Sequence, residues 1–337
     1  MSEKPIGVAI IGYGYMGEIR RRAVLAHPAL RLAGIADVKP RPIDRMDGVA
    51  WTDSYDVLID RDDVDAVFVC VPNRLIPEVA CRALATRKHV FCEKPPGRTV
   101  ADVVRMREAE AASGGRVLMF GFNHRFHPAM LEAKRVVDAG ELGRVLYLKG
   151  TYGKPGGPGY GPSWRNDPAE SGGGILLDQG IHMLDLFRYY GGEFRTVKAC
   201  CAATLWKMPV EDNAFVVLAG EGGTHAVLHS SATLAKPTFR LEIGLTGGRL
   251  LIEGLLSKTG RYGPETLTVG RGGPEGNGRP AESRQAYGDD QSWAIEVANF
   301  ARAIAAGGTP RQCSSLDALR AMELVHAAYA DSGRAAK

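Results

Sequence analysis

Three glycines near the start of this sequence constrain its fold more than any other feature. Gly12, Gly14 and Gly17 in "IGVAIIGYGYMG" form a G-x-G-x-x-G spacing between an apolar strand-like run and a helix-like run. In this context the first glycine permits a tight turn, the second lets a pyrophosphate approach the backbone, and the third allows the helix to pack closely on the strand. Tyr15 and Met16 lie in the same turn, just before the helix-like run, whose N-terminal amides favour an anion. The pattern predicts a dinucleotide-binding strand–turn–helix unit with these five residues as cofactor contacts.

An acidic residue at the end of the second strand-like run extends this interpretation. Asp37 closes "RLAGIAD" about twenty residues after the glycines, as expected for a carboxylate that accepts hydrogen bonds from a ribose. Because a carboxylate also repels a 2′-phosphate, Asp37 favours NAD over NADP. Lys39, close behind it, leaves NADP possible. Pro72 and Asn73, at the end of and just after the run "DAVFVCVP", are further candidate cofactor contacts.

The first 122 residues continue the same alternation of elements. Short apolar, β-branched runs alternate with amphipathic stretches of helical period, which indicates a parallel sheet covered by helices on both faces. The strand-like runs are "IGVAIIG", "RLAGIAD", "DAVFVCVP", "HVFCEKP" and "RVLMFGF", and the helical stretches lie near 17–26, 75–87 and 99–113. We predict an α/β fold whose first domain, residues 1–122, is a Rossmann dinucleotide-binding domain.

After residue 122 the order of elements changes. A helix near 128–138, a strand at 143–152, a Gly/Pro-rich loop and a helix at about 175–190 precede four or five consecutive strands. Two helices near 291–306 and 316–330 follow these strands. This order predicts an α+β domain over residues 123–337 whose mostly antiparallel sheet has one open face.

Composition and charge limit the classes of function. The 337 residues, 45% hydrophobic and 24% charged, suit a globular protein of two domains. The 42 basic and 38 acidic side chains leave a net charge of +4 without a basic tail, which argues against a nucleic-acid partner. No stretch of 18 apolar residues and no secretory leader pattern is present, so we expect no membrane association and a cytoplasmic location. Six cysteines without a C-x-x-C spacing indicate neither a disulfide framework nor a zinc site.

Two charged motifs are candidates for catalysis. Glu93 and Lys94 in "CEKPPG" follow the apolar run "HVF" and precede two prolines, where neither a helix nor a central strand continues. A charged pair at such a position is more often structural than catalytic, so this motif decides nothing alone. Asp178 and His182 in "GGGILLDQGIHMLDLFRYYGG" are spaced i, i+4 on a predicted helix, so the carboxylate and the imidazole share a face. Asp185 lies at i+3 from His182.

Three motifs together resemble one known family. The glycine-rich turn, E-K-P after a parallel strand, and G-G-G-x-x-x-D-x-x-x-H in the second domain resemble the Gfo/Idh/MocA family, the glucose–fructose oxidoreductase and inositol dehydrogenase group. The resemblance covers nearly the whole chain, including "GFNHRFHP" at the domain junction. It implies that Lys94, Asp178 and His182 flank the nicotinamide. Glu93 and Lys94 are then expected at the carboxyl ends of the parallel strands, where open α/β sheets bind ligands.

The resemblance also implies oxidation of a carbinol by hydride transfer to NAD. This reaction needs a base for the hydroxyl proton. His182, oriented by Asp178, is the favoured base near neutral pH, and Lys94 is the alternative, since family members are described with either residue in that role. The expected substrate is a sugar, a nucleotide sugar or a polyol.

The segment that leads to the D-x-x-x-H helix carries candidate substrate contacts. Its cations and flat rings suit a sugar face or an attached phosphate or carboxylate, and the alternative is an ordinary loop with a packing tryptophan. With the arginine of the domain junction, the candidates are Arg125, Tyr152, Lys154, Tyr160, Trp164 and Arg165. His124 and His127 beside Arg125 lack an evident third ligand, so we expect no metal.

Two other functions fit the same motifs. A glycosidase or epimerase could keep NAD tightly bound and use transient oxidation, because one fold supports both chemistries. It would need further acid–base groups, for which Tyr152 and Tyr160 are candidates. The third function is a non-catalytic NAD-dependent regulator, although such a binder has no need of Lys94, Asp178 and His182 together. The open sheet face also predicts a homodimer or homotetramer.

Overall fold

The chain forms two compact units, and each unit consists of two separate stretches of the chain. The computed structural model describes residues 4–39, 49–161, 163–257, 260–274 and 281–334. The first unit contains the described residues of Met1–Phe122 and Trp293–Met322, and the second contains those of Asn123–Ser292 and Glu323–Lys337.

The described residues contain both helices and strands in each unit. The strands are β1 (Ile6–Ile11), β2 (Leu30–Ala36), β3 (Ala50–Thr52), β4 (Ala66–Val69), β5 (His89–Cys92), β6 (Leu118–Phe120), β7 (Val145–Pro155), β8 (Phe194–Ala202), β9 (Asn213–Gly220), β10 (His225–Ser231), β11 (Thr233–Leu245), β12 (Gly248–Glu253), β13 (Glu265–Arg271) and β14 (Ala281–Tyr287). The α-helices are α1 (Tyr15–Leu25), α2 (Tyr55–Ile59), α3 (Ile76–Ala85), α4 (Val100–Ala112), α5 (Pro128–Asp138), α6 (Pro168–Ser171), α7 (Ile181–Gly191), α8 (Ser292–Ala306) and α9 (Ser315–Asp331). Short 3-10 segments lie at Asn123–Phe126 and Trp164–Asn166, and a π-helical turn lies at Leu176–Gly180.

The sheet of the first unit is parallel, with the strand order β3-β2-β1-β4-β5-β6. β4 and β5 are buried at every residue, and β1 at every residue but its first. Helices cover both faces of a parallel sheet, so its strands are continuous apolar runs. The predicted Rossmann-type fold is confirmed. The sequence pattern missed β3, because its 3 residues are too few to show a period.

One segment differs from the predicted domain boundary. Residues Trp293–Met322, which the sequence pattern places in the second domain, pack with the first unit. In α8 the ring of Phe300 meets the rings of Phe68 and Phe91 edge-on, with centroids 5.4 and 5.6 Å away, and Val297 is fully buried. The sheet therefore takes part of its apolar cover from a helix near the far end of the chain, which no local period reveals.

The sheet of the second unit has the order β14-β13-β12-β11-β7-β10-β9-β8. β7 and β10 pair in parallel, and the other pairs are antiparallel. The predicted mostly antiparallel sheet is thus confirmed. More strands follow α7 than the four or five predicted. β14, for example, is exposed along nearly its whole length, so its sequence "AESRQAY" shows no apolar alternation.

The two faces of this second sheet differ. α7 packs on one face so closely that a Cβ added to Gly150 of β7 would lie 2.5 Å from Cγ of Met183. On the other face Phe215, Val217 and Val227 are 49%, 51% and 36% exposed. Side chains alternate along a strand, so the residues between them point to the covered face. Within the second unit, one face of the sheet is therefore open.

Candidate functional site

The glycine-rich turn of the first unit has no room for side chains at two positions. Gly12 has a φ of +89°, and a Cβ there would lie 2.6 Å from the carbonyl oxygen of Cys70. A Cβ at Gly17 would overlap the carbonyl oxygen of Gly12. The left-handed backbone at Gly12 and the close approach at both positions require glycine. These are the tight turn and the close helix packing expected from the G-x-G-x-x-G spacing.

Gly14 is constrained differently. It occupies the N-cap position of α1, and a Cβ added there would meet no heavy atom of the described residues within 4 Å. The absent side chain leaves space in front of the first turn of α1, where Tyr15 is 59% exposed. The dipole of α1 favours an anion in that space. The turn therefore fits the pyrophosphate of a dinucleotide, with Gly14, Tyr15 and Met16 as the residues that would hold it.

The strand order places two more candidates at the same edge of the sheet. β1 lies between β2 and β4, so the winding of the sheet reverses there. Open α/β sheets bind ligands at the carboxyl ends of the strands at such a reversal. Pro72 and Asn73 follow β4, and Asn73 is 6% exposed. Pro72 and Asn73 therefore remain predicted cofactor contacts.

Backbone amides hold the carboxylate of Asp37 at the end of β2. Its Oδ2 accepts a hydrogen bond from the amide of Tyr13 (2.6 Å), and its Oδ1 accepts one from the amide of Lys39 (2.7 Å). Because Tyr13 lies inside the glycine-rich turn, Asp37 is fixed to the loop that would hold the pyrophosphate. The sequence pattern does not identify Tyr13, since any residue except proline supplies a main-chain N–H.

The E-K-P motif contains one buried charge and one half-buried charge. Glu93 is 4% exposed, and its Oε1 lies 2.6 Å from Nε of Arg20, which is fully buried. Nη1 of the same guanidinium lies 2.7 Å from Oε2 of Glu296 in α8. The guanidinium also packs over the rings of Phe91 and Trp293. We call Arg20, Glu93 and Glu296 the buried ion triad.

The buried ion triad favours a structural role for Glu93 over the predicted cofactor contact. Burial opposes the charge of Arg20, but the carboxylates of Glu296 and Glu93 outweigh it and raise the pKa of Arg20 above its usual value. Both carboxylates therefore compensate the positive charge of a buried, desolvated guanidinium. Lys94, the next residue, is half-buried at the carboxyl end of β5 and remains the candidate for chemistry.

The helix that carries Asp178 and His182 changes its winding between them. Asp178 lies in the π-helical turn Leu176–Gly180, and His182 lies in α7. The sequence pattern predicted one helix at about 175–190, and the structure divides this stretch into a π-helical turn and α7. A π turn closes i→i+5 hydrogen bonds and changes the directions of the side chains from those of an α-helix. Such turns inside helices are frequent at functional sites.

A buried carboxylate caps the start of this helix. Glu211, which is 1% exposed, accepts hydrogen bonds from the amides of Gly174 and Leu176 at 3.0 Å and from the hydroxyl of Tyr329 at 2.7 Å. Burial raises the pKa of Glu211. A Cβ at Gly174 would overlap the backbone of Glu211. The glycine-rich entry to the helix therefore makes room for the residue that caps it.

Other rings enclose His182, which is 3% exposed. The imidazole of His124 stacks on it, with the centroids 3.7 Å apart and an interplanar angle of 24°. The ring of Tyr152 lies 5.3 Å from His124 and 6.4 Å from His182 between centroids. Sequence analysis considered His124 only as a metal ligand, because stacking between residues far apart in the chain leaves no local signal.

Two residues that sequence analysis missed join this group. The ring of Tyr262 lies 5.7 Å from that of Tyr152, and its hydroxyl accepts a long hydrogen bond (3.5 Å) from Nε2 of Gln179. The ring of Phe239 lies 5.3 Å from that of Tyr152. We call His124, Tyr152, His182, Phe239 and Tyr262 the ring cluster. Tyr262 lies in the loop after β12, so only the path of that loop brings it to the cluster.

One cation lies near Asp178, and the charge of Asp178 affects two phenols. Nε of Arg165 lies 3.8 Å from its Oδ1, and the side chains of Arg165 and Asp178 are 51% and 27% exposed. Burial raises the pKa of Tyr152 and of Tyr160, and the carboxylate of Asp178 raises both further. These two phenols therefore keep their protons at neutral pH.

The remaining predicted substrate contacts lie on and after β7. Lys154 is half-buried in β7 itself. The guanidinium of Arg165 packs on the ring of Trp164, 4.5 Å from its centroid, and Trp164 is 36% exposed. Tyr160 packs against Trp206, with the ring centroids 5.5 Å apart. Trp164 and Arg165 thus present an accessible stacked pair, whereas Trp206 supports the loop.

Arg125 forms a buried ion pair in the second unit. Its Nε and Nη2 donate to the two carboxylate oxygens of Asp185 at 2.7 and 2.5 Å, and the two residues are 4% and 1% exposed. His127 follows Arg125 by two positions, and its Nδ1 lies 2.7 Å from Oε2 of Glu265. These contacts favour a structural role for Arg125 over the predicted substrate contact. Arg125 attaches the 3-10 segment Asn123–Phe126 to α7, and His127 attaches the start of α5 to β13.

Two further features concern the described residues alone. Within them, no group of three or more His, Cys, Asp or Glu side chains is placed to hold a metal ion. Their helices also lack the combination of length and apolar character that crossing a membrane requires.

Both units match the sequence patterns of one protein family. Residues 6–122 match the "Oxidoreductase family, NAD-binding Rossmann fold", and residues 130–251 match the "GFO/IDH/MocA C-terminal domain". Myo-inositol 2-dehydrogenase of Thermotoga maritima is 32% identical over 234 residues, which are 66% of this chain and 68% of that protein. The chain belongs to the Gfo/Idh/MocA family. This Gfo/Idh/MocA protein is an NAD-binding oxidoreductase, as the three motifs predicted.

Two further comparisons concern one kind of enzyme. Levoglucosan dehydrogenase of Pseudarthrobacter phenanthrenivorans is 32% identical over 235 residues, which are 64% of this chain and 60% of that protein. A solved structure of a levoglucosan dehydrogenase in complex with NADH and levoglucosan has a TM-score of 0.88 and 24% identity, and the match covers 98% of both chains. The fold of this Gfo/Idh/MocA protein is therefore that of the solved dehydrogenase.

Proposed function

We propose that this enzyme oxidises a secondary alcohol of a sugar or polyol and transfers the hydride to NAD. The ring cluster carries this proposal, because it places flat rings and hydroxyls around an imidazole and beside the carboxylate of Asp178. Flat rings bind the apolar face of a sugar, and fixed polar groups select its hydroxyls. Two relatives named for levoglucosan and myo-inositol support this substrate class.

Three residues have proposed roles in the reaction. NAD, when bound, supplies the hydride acceptor. His182 takes the hydroxyl proton as general base, and Asp178 favours the positive charge that His182 then carries. Lys94 holds the alcohol oxygen through its ammonium, or shares the proton transfer. A nucleotide sugar remains within the proposed substrate class, because the accessible pair of Trp164 and Arg165 suits a ring next to a phosphate.

A substrate screen with matched variants tests this function. Wild-type protein mixed with NAD and a panel of sugars, polyols and nucleotide sugars should increase the absorbance band of reduced nicotinamide for at least one compound. For that compound Lys94→Ala or His182→Ala should reduce kcat by about 10²- to 10⁴-fold while NAD still binds. A variant with near wild-type kcat at neutral pH would remove that residue from the mechanism.

Net oxidation is proposed over transient oxidation by a glycosidase or epimerase. The transient route must also remove a proton from a carbon next to the new carbonyl, which calls for a second base. Tyr152 and Tyr160 were the candidates, and their raised pKa makes them poor bases at neutral pH. With substrate deuterated at the oxidised carbon, the deuterium should leave on NADH, one per product. Deuterium recovered in a sugar product without NADH accumulation would support the transient route.

Asp37 is proposed to select NAD over NADP. Its carboxylate is held at the end of β2 by the amides of Tyr13 and Lys39, in position to accept from a ribose hydroxyl. Replacement by Asp37→Ser with Val38→Arg should shift the ratio of kcat/KM values toward NADP by about tenfold or more, or about 1.4 kcal/mol. A tenfold preference of the wild type for NADP would contradict the assignment.

The proposal also includes assembly and location. A homodimer or homotetramer built on the open face of the second sheet would cover Phe215, Val217 and Val227, since subunit pairing commonly buries such a patch. The six cysteines, all within the described residues, form no disulfide. That usage of cysteine supports a reducing, cytoplasmic location.

A further inference from the structure

The stacked imidazoles of His124 and His182 raise a question of protonation. Their centroids are 3.7 Å apart, and both residues are at least 95% buried, with 5% and 3% exposed. Two positive charges at this separation would repel each other in a region that water screens little. The stack therefore favours at most one charge at a time, and the neighbours of each ring decide which ring carries it.

A chain of hydrogen bonds assigns the tautomer of His124. The carboxylate of Asp290 only accepts, so the hydroxyl of Ser292 donates to it (2.6 Å). Oγ of Ser292 then accepts from the amide nitrogen of Asn123 at 3.2 Å, which fixes the orientation of that amide. The amide oxygen of Asn123 consequently faces Nδ1 of His124, 3.2 Å away. His124 therefore donates through Nδ1–H, and any further proton would have to enter at Nε2.

His127 confirms this orientation of Asn123 from the other side. The carboxylate of Glu265 accepts from Nδ1–H of His127 at 2.7 Å. Nε2 of His127 lies 3.5 Å from the amide nitrogen of Asn123, so it faces a donor. His124 in the 3-10 segment and His127 directly after it thus match the one amide orientation that Ser292 allows.

The other titratable groups around the stack already pair with a cation, accept a hydrogen bond or keep their protons. Asp185 in α7 is paired with Arg125, and Glu265 in β13 accepts a hydrogen bond from Nδ1–H of His127. The phenol of Tyr152 in β7 has a pKa raised first by burial, so it is neutral near pH 7. Asp178 in the π-helical turn lies 3.8 Å from Arg165. Phe239 of β11 presents only a ring, 5.8 Å from His124.

We propose that His124 is a positioning residue for the base His182. Its neutral ring, held by Asn123, lies flat against the imidazole of His182 and sets the plane of that ring. When His182 takes the hydroxyl proton, the face of a neutral ring supports the new positive charge better than a second charged ring would. This inference rests on the proposed role of His182 in alcohol oxidation.

Ring variants separate positioning from other roles. His124→Ala removes the stacked ring and should lower kcat by about tenfold while KM for NAD changes less than about twofold. His124→Phe keeps a flat ring and should recover kcat to within about threefold of wild type. His89→Phe is the matched control, because His89 is another buried histidine but lies at the opposite end of β5 from Lys94. It should lower stability without changing kcat. If His124→Phe is as slow as His124→Ala, the ring is not what matters and the proposal fails.

A double-mutant cycle tests whether His124 acts through His182. In the His182→Ala background the added His124→Ala change should alter kcat by less than about twofold. Independent, multiplicative losses would overturn the proposal. Near wild-type kcat in the single variant His182→Ala would instead show that the proposed base is wrong, which is a different result.

A spectroscopic test needs no substrate. In wild-type protein labelled with ¹⁵N-histidine, the ring nitrogens of His124 should show the neutral Nδ1–H form across the pH range in which His182 gains its second proton. Asn123→Ala removes the acceptor of Nδ1–H, so a mixture of the Nδ1–H and Nε2–H tautomers of His124 should appear. Protonation of His124 before His182, or a wild-type Nε2–H tautomer, would overturn the proposal even if no sugar in the panel is oxidised.

Discussion

The two units of this protein present different kinds of atoms to their candidate ligands. In the first unit the parallel sheet offers main-chain groups, namely the turn at Gly12, the amide of Tyr13 that holds Asp37, and the N-terminus of α1. In the second unit the sheet and α7 offer side chains, above all the rings of His182 and His124. A main-chain site requires glycine at set spacings and is visible in sequence, whereas a side-chain site depends on which rings the fold brings together.

The units also compensate buried charge in different ways. The first unit surrounds one arginine with two carboxylates in the buried ion triad. The second unit uses one-to-one pairs, such as Arg125 with Asp185. A triad joins three elements, here α1, the segment after β5, and α8, whereas a pair joins two. The first unit should therefore depend more on each of its buried charges.

The largest expected effect is the loss of the cation in the triad. Arg20→Met leaves Glu93 and Glu296 buried without it, so the free energy of unfolding should fall by about 3–5 kcal/mol. Denaturant unfolding at pH 7 measures this loss. Adding Glu93→Gln and Glu296→Gln should restore most of it, and the surface control Arg22→Met should change little. A loss below about 1 kcal/mol for Arg20→Met would show that the triad is not needed for folding.

Two alanine substitutions in the glycine-rich turn should separate folding from binding. Gly12→Ala forces a left-handed alanine against the backbone of Cys70, so the unfolding free energy should fall by about 2–3 kcal/mol. Gly14→Ala meets open space and should fold normally, yet weaken NAD by about tenfold or more because its methyl group occupies the pyrophosphate position. Thermal unfolding and NAD titration measure the two effects. Unchanged NAD affinity in Gly14→Ala would contradict the placement of the pyrophosphate.

One charged substitution tests whether the open face of the second sheet is a subunit interface. Val217→Glu places a carboxylate beside Phe215 and Val227 and should dissociate the proposed homo-oligomer, because burying an unpaired charge is costly. Light scattering at micromolar concentration should then give the 36.2 kDa monomer mass, and a larger mass for wild type. Val57→Glu is the matched control, since Val57 is similarly exposed (57% against 51%) but lies in α2. A wild-type mass of 36.2 kDa would refute the assembly.

The smallest effect concerns a buried histidine of the parallel sheet. Burial and, to a smaller extent, the charge of Arg116 lower the pKa of His89 from 6.5 to about 4, and its Nδ1 accepts a hydrogen bond from the amide of Val117 at 3.0 Å. The unfolded chain therefore takes up this proton first as pH falls, so stability is present above pH 6.5 and is lost between about 6.5 and 4. The loss should stay below about 3 kcal/mol, the limit that this pKa difference sets. Unfolding measured across this range should show a shallower slope in His89→Phe than in wild type, and equal slopes would exclude His89 as the cause.

The sequence predicted well what depends on local pattern. The Rossmann-type fold, the glycine-rich turn and the mostly antiparallel second sheet follow from periods of apolar residues and from spaced glycines, and the family followed from three short motifs. The roles of Glu93 and Arg125 could not be predicted in the same way. Each has the residue type of a ligand contact, and only the position of its partner, Arg20 or Asp185, indicates a structural role.

What the sequence determined alone is therefore the backbone of the dinucleotide half: strand, turn and helix, with glycine wherever a side chain has no room. What only the tertiary structure decided is the set of side chains around His182, together with the return of α8 to the first unit. Local backbone geometry restricts the residues at each position and so leaves a record in the chain. Contacts between distant residues, such as His124 with His182 or Tyr262 with Tyr152, impose no spacing on the sequence and exist only once the chain has folded.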